Sequence, residues 1–174
     1  MYKEKYLINS NLKELRSSDF EIRNGEPDIR GWKVKTPQNL DIGKVDELLF
    51  DAVSFSVRYL VVALNGKAIN LASRDVLIPV GLADLRKDDK TVIFPEVTAG
   101  HFASLPDYKK GNVTVETERA IRTVFAPSDG ITYKDADYEH DPKEFYNHEH
   151  FDEEKMYKSA NPTDEPIDPF PDER

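Results

Sequence analysis

The stretch that decides the fold runs from Asp28 to Pro95 and contains Asp28-Ile29-Arg30-Gly31-Trp32-Lys33-Val34, Ile42-Gly43-Lys44-Val45-Asp46-Glu47-Leu48-Leu49-Phe50, Val57-Arg58-Tyr59-Leu60-Val61-Val62-Ala63-Leu64 and Asp75-Val76-Leu77-Ile78-Pro79-Val80. Each run is rich in β-branched or aromatic residues, and turn residues separate one run from the next. Strand-sized runs that recur roughly every 8–15 residues favour a small barrel or sandwich over alternating strands and helices. The sequence therefore predicts a mainly β domain.

Three positions inside this stretch predict how its strands are arranged. Val57–Leu64 is apolar on both faces, which is typical of a strand with neighbours on either side. Gly43 interrupts a strand pattern, so we expect a bulge or a bend there. Pro79 cannot donate a ladder hydrogen bond, which predicts that its strand lies at an edge or ends at this residue.

Shorter elements flank the β domain. Residues 1–27 have the pattern of a loose N-terminal arm that packs a few apolar side chains onto the domain. Residues 97–133 are predicted to contain two helices that pack on it, Thr98–Leu105 with Thr98 as its N-cap, and Thr114–Phe125. In the second helix we expect a stripe facing the domain and a polar outer face. The stripe comprises Ala120, Ile121, Val124 and Phe125, and the outer face comprises Glu116, Glu118, Arg119 and Arg122.

The net charge is concentrated at the C-terminus. The chain has 174 residues and a formal net charge of −9. Residues 134–174 contain five basic and 14 acidic residues, which accounts for the whole of that charge, and five of the 11 prolines. This composition predicts an extended, acidic, Pro-rich tail with at most short helices.

Composition also excludes several classes of function. The chain has no cysteine, which excludes disulfides, thiolate metal sites and a cysteine nucleophile. An acidic chain without a basic block does not predict nucleic-acid binding, because phosphate neutralisation needs clustered Lys and Arg. The longest apolar run, Tyr59–Leu64, is far shorter than the roughly 20 residues of a membrane-spanning helix. We therefore expect no membrane insertion and a cytoplasmic location.

The tail holds the candidate ligand-binding side chains. His148 and His150, with the carboxylates around them, form the pattern closest to a divalent-metal site, and a solvated acidic tail with scattered histidines has the same composition. Aromatic and apolar side chains in this acidic stretch need a surface that buries them, which predicts partner-binding anchors. These anchors are Phe145, Tyr146, Phe151, Met156 and Tyr157. No catalytic constellation, phosphate-binding loop or cofactor site is recognisable, so we do not expect an enzyme.

Four pieces of the fold-deciding stretch together resemble the PRC-barrel family. They are residues 28–34, 42–51, 57–62 and 76–83, which include the patterns Gly-x-x-Val, Ile-Gly-x-Val-x-x-Leu-Leu-Phe-Asp, Val-Arg-Tyr-Leu-Val-Val and Val-Leu-Ile-Pro-Val. That family includes the cytoplasmic domain of the H subunit of the purple-bacterial photosynthetic reaction centre, and the C-terminal domain of the ribosome maturation protein RimM. The resemblance implies a small six-stranded β-barrel over residues 28–96. The flanking pieces are similar to those of stand-alone bacterial PRC-barrel proteins.

These observations leave three functional hypotheses. The first is a non-catalytic adaptor or scaffold that binds a protein partner or forms a dimer, with the tail covering part of the barrel. The family resemblance alone adds that the partner could belong to an electron-transport or reaction-centre-type assembly. The second is a small-ligand or divalent-metal-binding protein that uses His148 and His150. The third is a ribosome-associated factor similar to RimM, which the acidic charge weakens.

Overall fold

The structure is a computed structural model that describes residues 8–9, 11–18, 21–22, 25–127 and 142–160. Much of the predicted arm and two parts of the predicted tail, residues 134–141 and 161–174, therefore lie outside the described residues. Within the described residues the chain forms one sheet, four short α-helices and four single 3-10 turns. The prediction of a mainly β fold is confirmed.

Seven strands form the sheet in the described residues. They are β1 (Leu12–Glu14), β2 (Lys33–Lys35), β3 (Asp41–Asp51), β4 (Ser56–Leu64), β5 (Arg74–Pro79), β6 (Asp84–Arg86) and β7 (Thr91–Ile93). Their order is β5-β4-β3-β2-β7-β6, and β1 pairs with β3 outside this path. All pairs are antiparallel except β2 with β7, which is parallel.

The sheet differs from the expected six-stranded barrel in its strand count and in its closure. The arm contributes the extra strand, because β3 is 11 residues long. Strand β2 pairs with the start of β3, and β1 pairs with residues 49–51 at its end. The path is also open, since β5 and β6 form no strand pair within the described chain.

The connection between β5 and β6 nevertheless curves the sheet. These strands lie at opposite ends of the strand order, where a flat sheet would hold them roughly 24 Å apart. Only the 3-10 turn Val80–Leu82 and one further residue join them. Five residue steps from Pro79 to Asp84 span at most about 18 Å. The two ends must therefore bend toward each other.

The three position-specific predictions for the β domain are confirmed. Strand β4 pairs with β3 on one side and β5 on the other, and Tyr59, Leu60 and Val61 are fully buried. Gly43 has a φ of +150° beside a register shift in the β2–β3 pair, and an added Cβ would overlap the carbonyl oxygen of Ala63. Strand β5 ends at Pro79.

Four α-helices follow the sheet in the described chain. They are α1 (Ala99–Ser104), α2 (Val115–Phe125), α3 (Pro142–Phe145) and α4 (Glu153–Ala160). The first two confirm the predicted helices, and the predicted cap at Thr98 is confirmed because its hydroxyl accepts a hydrogen bond from the backbone of His101. The Thr114 hydroxyl caps α2 in the same way and accepts from the backbone of Thr117. None of the helices in the described residues has the length and apolar character that a membrane crossing requires.

The predicted orientation of α2 is wrong. Its buried residues are Val115, Glu118, Arg119, Ile121 and Arg122. Ala120, Val124 and Phe125 are only half buried, and of the predicted outer face only Glu116 is exposed. Glu118 and Arg122 can lie on the inner face because polar partners for them exist there, which an apolar-stripe argument does not consider.

A buried carboxylate holds the arm on the sheet. Glu47, at 1% exposure, lies in β3 and accepts hydrogen bonds from the backbone N–H groups of Arg16 (3.1 Å) and Leu48 (2.9 Å). Its carboxylate also lies 3.4 Å from Nε of Arg16 and 3.8 Å from Nη1 of Arg30. These contacts place the 3-10 turn Leu15–Ser17 against the end of β3.

Candidate functional site at the C-terminal segment

The C-terminal segment (residues 142–160) lies over the join between β5 and β6. Helix α4 packs on β6 and on the Val80–Leu82 turn, and the backbone N–H of Leu85 donates to Ser159 Oγ at 2.9 Å. At Gly81 the two backbones meet: an added Cβ would overlap the carbonyl oxygen of Glu149 and lie 2.8 Å from the carbonyl carbon of His150. Glycine is thus required at position 81 by close packing.

The five predicted partner-binding anchors are buried within the chain. None of them is more than 5% exposed. The Phe151 ring lies edge-on to Tyr59 of β4, with centroids 5.4 Å apart, and 5.1 Å and 5.5 Å from the rings of Tyr146 and Phe145. Burying each such side chain contributes roughly 1.5–3 kcal/mol. The prediction of an extended tail is therefore wrong for residues 142–160, because their aromatic side chains find an apolar surface on the chain's own sheet.

A buried hydrogen-bond network centred on Glu118 joins this segment to the rest of the fold. Glu118 in α2 is 0% exposed, and its carboxylate accepts hydrogen bonds from the hydroxyls of Tyr59 (3.0 Å) and Tyr146 and from Asn9 Nδ2 (3.1 Å). Asn9 Nδ2 also lies 3.0 Å from the Tyr146 hydroxyl. The Glu118 network (Asn9, Tyr59, Glu118 and Tyr146) thus joins the arm, β4, α2 and the C-terminal segment.

Burial shifts the protonation equilibria of the Glu118 network. Loss of solvent raises the pKa of Glu118 above its ordinary value of 4.5, and the hydrogen bonds from Tyr146, Asn9 and Tyr59 partly oppose that shift. Burial first, and then the charge of Glu118, raise the pKa values of Tyr59 and Tyr146 well above 10.0. Both hydroxyls therefore remain protonated donors at neutral pH.

Two guanidinium groups contact Phe145 and Tyr146, one on each residue. Arg122 Nη1 donates to the carbonyl oxygen of Phe145 at 2.7 Å, and its charge lies 5.2 Å from the centre of the Phe145 ring. The Arg58 guanidinium lies 4.5 Å from the centre of the Tyr146 ring, and its Nη2 donates to Ser54 Oγ at 3.1 Å. Cations placed over aromatic faces are stabilising, by about 0.5–2 kcal/mol according to desolvation.

The two predicted metal ligands come together at the edge of this segment. The rings of His148 and His150 lie 4.4 Å apart, and His148 Nδ1 accepts the backbone N–H of His150 at 3.1 Å. Burial, and then the neighbouring His148, lower the pKa of His150, which favours the neutral form that binds metals. No group of three or more potential metal-binding side chains occurs in the described residues, while His140 and Asp141 lie outside them.

A polar cavity of about 510 Å³ adjoins His148. Arg58 and Tyr146 line it together with the carboxylates of Asp152 and Glu153. The structure thus brings His148, Tyr146 and Phe151 of the predicted sites to one cavity, whereas Met156 lies buried in α4.

Sequence reasoning missed the Glu118 network. A usable signal was present: Val115, Glu118 and Ile121 are spaced by three, as residues on one helical face are. A carboxylate on an apolar face predicts a buried acceptor with partners elsewhere in the chain. The identity of those partners is not readable from local pattern, because Asn9 and Tyr59 are 109 and 59 residues away.

Residues 25–99 match the family model for the PRC-barrel domain. The chain therefore contains a PRC-barrel domain, as the sequence resemblance over residues 28–96 predicted. The matched range includes β2 to β7 and the first residue of α1, whereas the arm strand β1, helix α2 and the C-terminal segment lie outside it.

A Gly81→Ala substitution should displace the C-terminal segment. The new methyl group would overlap the backbone of residues 149–150, so we expect a loss of about 1–3 kcal/mol in the free energy of unfolding. Amide hydrogen exchange over residues 145–157 should accelerate. Gly100→Ala is the matched control, because its nearest neighbouring atom would lie at 3.6 Å. Wild-type exchange in Gly81→Ala would contradict the close-packing interpretation.

A Glu118→Gln substitution should change how stability depends on pH. Because the folded-state pKa of Glu118 is raised, its protonated form contributes stability that is fully present below about 4.5 and is lost as the pH rises through the folded-state pKa. Glutamine has no carboxyl proton to lose, so its side chain contributes no pH dependence to stability. The free energy of unfolding of wild type minus that of Glu118→Gln should therefore fall between pH 4.5 and neutrality, as measured by urea denaturation. Glu116→Gln, at an exposed position of the same helix, is the control. A difference that rises with pH would contradict the assignment.

Proposed function

We propose that this chain is a non-catalytic scaffold module that binds a protein partner through the surface of its PRC-barrel domain. The observation that carries the proposal is an exposed apolar pair in the turn between β3 and β4. Val53 is 69% exposed and Phe55 is 62% exposed. Phe55 also has a φ of +61°, a conformation that favours glycine or asparagine. Large apolar side chains that keep most of their surface exposed favour contact with another molecule.

The distribution of buried polar groups supports a non-catalytic role. Burial raises the pKa of the Glu118 carboxyl group, but a general acid or base must also come within hydrogen-bond reach of its substrate. Glu118 is 0% exposed and its oxygens are bonded to Tyr59, Tyr146 and Asn9. The arrangement suits a structural acceptor that joins segments.

The partner class follows from surface chemistry and from the family resemblance. The net charge of −9 disfavours RNA and so disfavours direct contact with a ribosome. The proposed partner is therefore either a protein of an electron-transport or reaction-centre-type assembly or a second copy of the chain.

Affinity capture with cross-linking tests the scaffold function. The tagged full-length chain is expressed in its native host, cross-linked, captured and analysed by mass spectrometry. We expect one recurrent protein, enriched over an unrelated acidic bait, with cross-links to lysines of residues 25–99. Sedimentation of the purified chain at cellular concentration measures self-association separately. A chain that captures nothing above the control bait and sediments as a monomer would refute the proposal.

A divalent-metal site is the second candidate function, favoured by the 4.4 Å separation of the His148 and His150 rings. We expect calorimetric titration of the wild type with Zn²⁺ at pH 7 to show binding that the His148→Ala/His150→Ala double variant loses. His101→Ala, outside the segment, serves as the control. Equal Zn²⁺ affinity in the wild type and the double variant would reject these ligands.

A further inference from the structure

The outer face of the sheet carries a row of basic side chains that come from three different strands. Lys33 of β2 lies directly opposite Lys44 of β3 and Thr91 of β7, and Thr91 in turn pairs with β6. Its partner there is Arg86. Residues directly opposite each other point to the same face of a sheet. That face is the outer one, because Val34, the next residue after Lys33, is fully buried in the core. We call Lys44, Lys33 and Arg86 the basic row.

The basic row is exposed and only partly compensated by acidic side chains. The side chain of Lys33 is 65% exposed, and Lys44 and Arg86 are exposed as well. Among the described residues, Asp41 forms an ion pair with the row, at 4.0 Å from Lys33 Nζ. Like charges directly opposite each other on neighbouring strands, as in the Lys33–Lys44 pair, are destabilising. An anionic segment lying across the row would relieve this repulsion.

The charge of this part of the outer face is net positive, although the whole chain has a net charge of −9. Four basic and two acidic residues share the face on β2, on β6 and on the part of β3 that pairs with β2, which gives a formal charge of +2. They are Lys33, Lys35, Lys44, Arg86, Asp41 and Asp84. The turn at residues 87–90 adds two lysines and two aspartates and therefore no net charge. Beyond Lys44 the row continues into Ala63 and Asp75, so its basic part ends at β3.

The acidic end of the chain begins beside the basic row. Helix α4 ends at Ala160, and Ser159 Oγ accepts the backbone N–H of Leu85, the residue before Arg86, at 2.9 Å. Residues 161–174, which we call the terminal tail, follow directly. They contain five acidic residues, one basic residue and four prolines, so their formal charge is −4. A positive face and a negative segment thus start from the same place in the fold.

The terminal tail is long enough to cross the basic row. Lys44 and Arg86 lie three strand spacings apart, which is roughly 14 Å. A chain of this length spans about 20 Å as a flexible coil and about 43 Å as polyproline II. Binding within one chain also proceeds at an effective concentration on the order of millimolar. Surface ion pairs that are individually weak can therefore hold the segment.

We infer that the terminal tail binds within its own chain across the basic row and closes this face of the domain to other acidic segments. The inference goes beyond the scaffold function, because the contact needs no partner. A separate acidic protein would have to displace a competitor that is already tethered beside the row. Nucleic acid is disfavoured, because three basic side chains neutralise few phosphates and the rest of the chain is acidic.

Paramagnetic broadening in the full-length chain tests this inference. The chain has no cysteine, so Pro171→Cys gives a single attachment point for a nitroxide in the terminal tail. We expect the nitroxide to broaden the backbone amide signals of Lys33, Lys44 and Thr91, and to leave those of α2 unchanged. The reduced, diamagnetic nitroxide is the reference. The broadening should decrease as NaCl is raised from about 20 to 500 mM, because the screening length falls from roughly 20 to 4 Å.

Matched charge variants of the labelled chain separate the basic row from the remaining surface. Lys33→Glu/Lys44→Glu should reduce the broadening at Thr91 by roughly twofold or more, since each exposed ion pair changes an equilibrium by about 1.4- to 5-fold. Lys67→Glu/Lys109→Glu makes the same charge change at exposed positions elsewhere and should have no effect.

A second variant leaves the domain unaltered. Asp164→Asn/Asp168→Asn/Asp172→Asn removes three charges from the terminal tail and should also reduce the broadening at Thr91 by roughly twofold or more. Because every substitution lies in the tail, this result does not depend on how the domain tolerates changes in its strands.

Several results would overturn the inference. They are an absence of broadening on the basic row, broadening of equal size in α2, and broadening that neither salt nor the two charge variants reduce. A nitroxide-labelled chain that broadens the signals of a separate, isotope-labelled copy would show that the tail binds a second chain instead. A poly-glutamate peptide that shifts the Lys33 and Lys44 signals, in a chain whose own tail causes no broadening, would assign the face to an external acidic partner. None of these results bears on whether the domain is a scaffold.

Discussion

The constraint on which the structure depends is the full satisfaction of one buried carboxyl group. Glu118 is inaccessible to water, and its three hydrogen-bond partners come from the arm, β4 and the C-terminal segment. A buried polar group that loses its partner costs about 1–3 kcal/mol, and more if it is charged. Each of these segments therefore stabilises the position of the others. Their folding should be cooperative, even though two of them lie outside the matched domain.

The C-terminal segment that bonds to Glu118 also covers the place where the two ends of the open sheet are joined. Strands β5 and β6 are brought together by their short connection but form no strand pair in the described chain. The C-terminal segment covers this join, with its backbone against Gly81 and α4 on β6. The buried side chains of Phe145, Phe151 and Met156 shield this join from water. Phe55 contrasts with these buried side chains. It is 62% exposed and has a positive φ, which is unfavourable for a phenylalanine.

Local patterns were reliable wherever backbone geometry alone decides the outcome. Gly43 predicted a bulge because only glycine tolerates that φ and that approach of Ala63. Pro79 predicted a strand end because it lacks an N–H group. The helix cap at Thr98 was readable for a similar reason, since it involves residues three positions apart. The Glu118 network was not readable, because its members come from distant segments.

The sequence by itself determined that the chain has a small β domain of the PRC-barrel type, with two helices after it. Only the tertiary structure decided which face of α2 is buried and that residues 142–160 pack on the sheet. An acidic composition predicts an extended segment if the segment is surrounded by water and has no protein surface to pack on. The Phe151 ring instead packs against Tyr59 of the sheet, and the Tyr146 hydroxyl donates to the Glu118 carboxylate of α2. Contacts between residues that are dozens of positions apart outweighed the local preference, and composition carries no record of them.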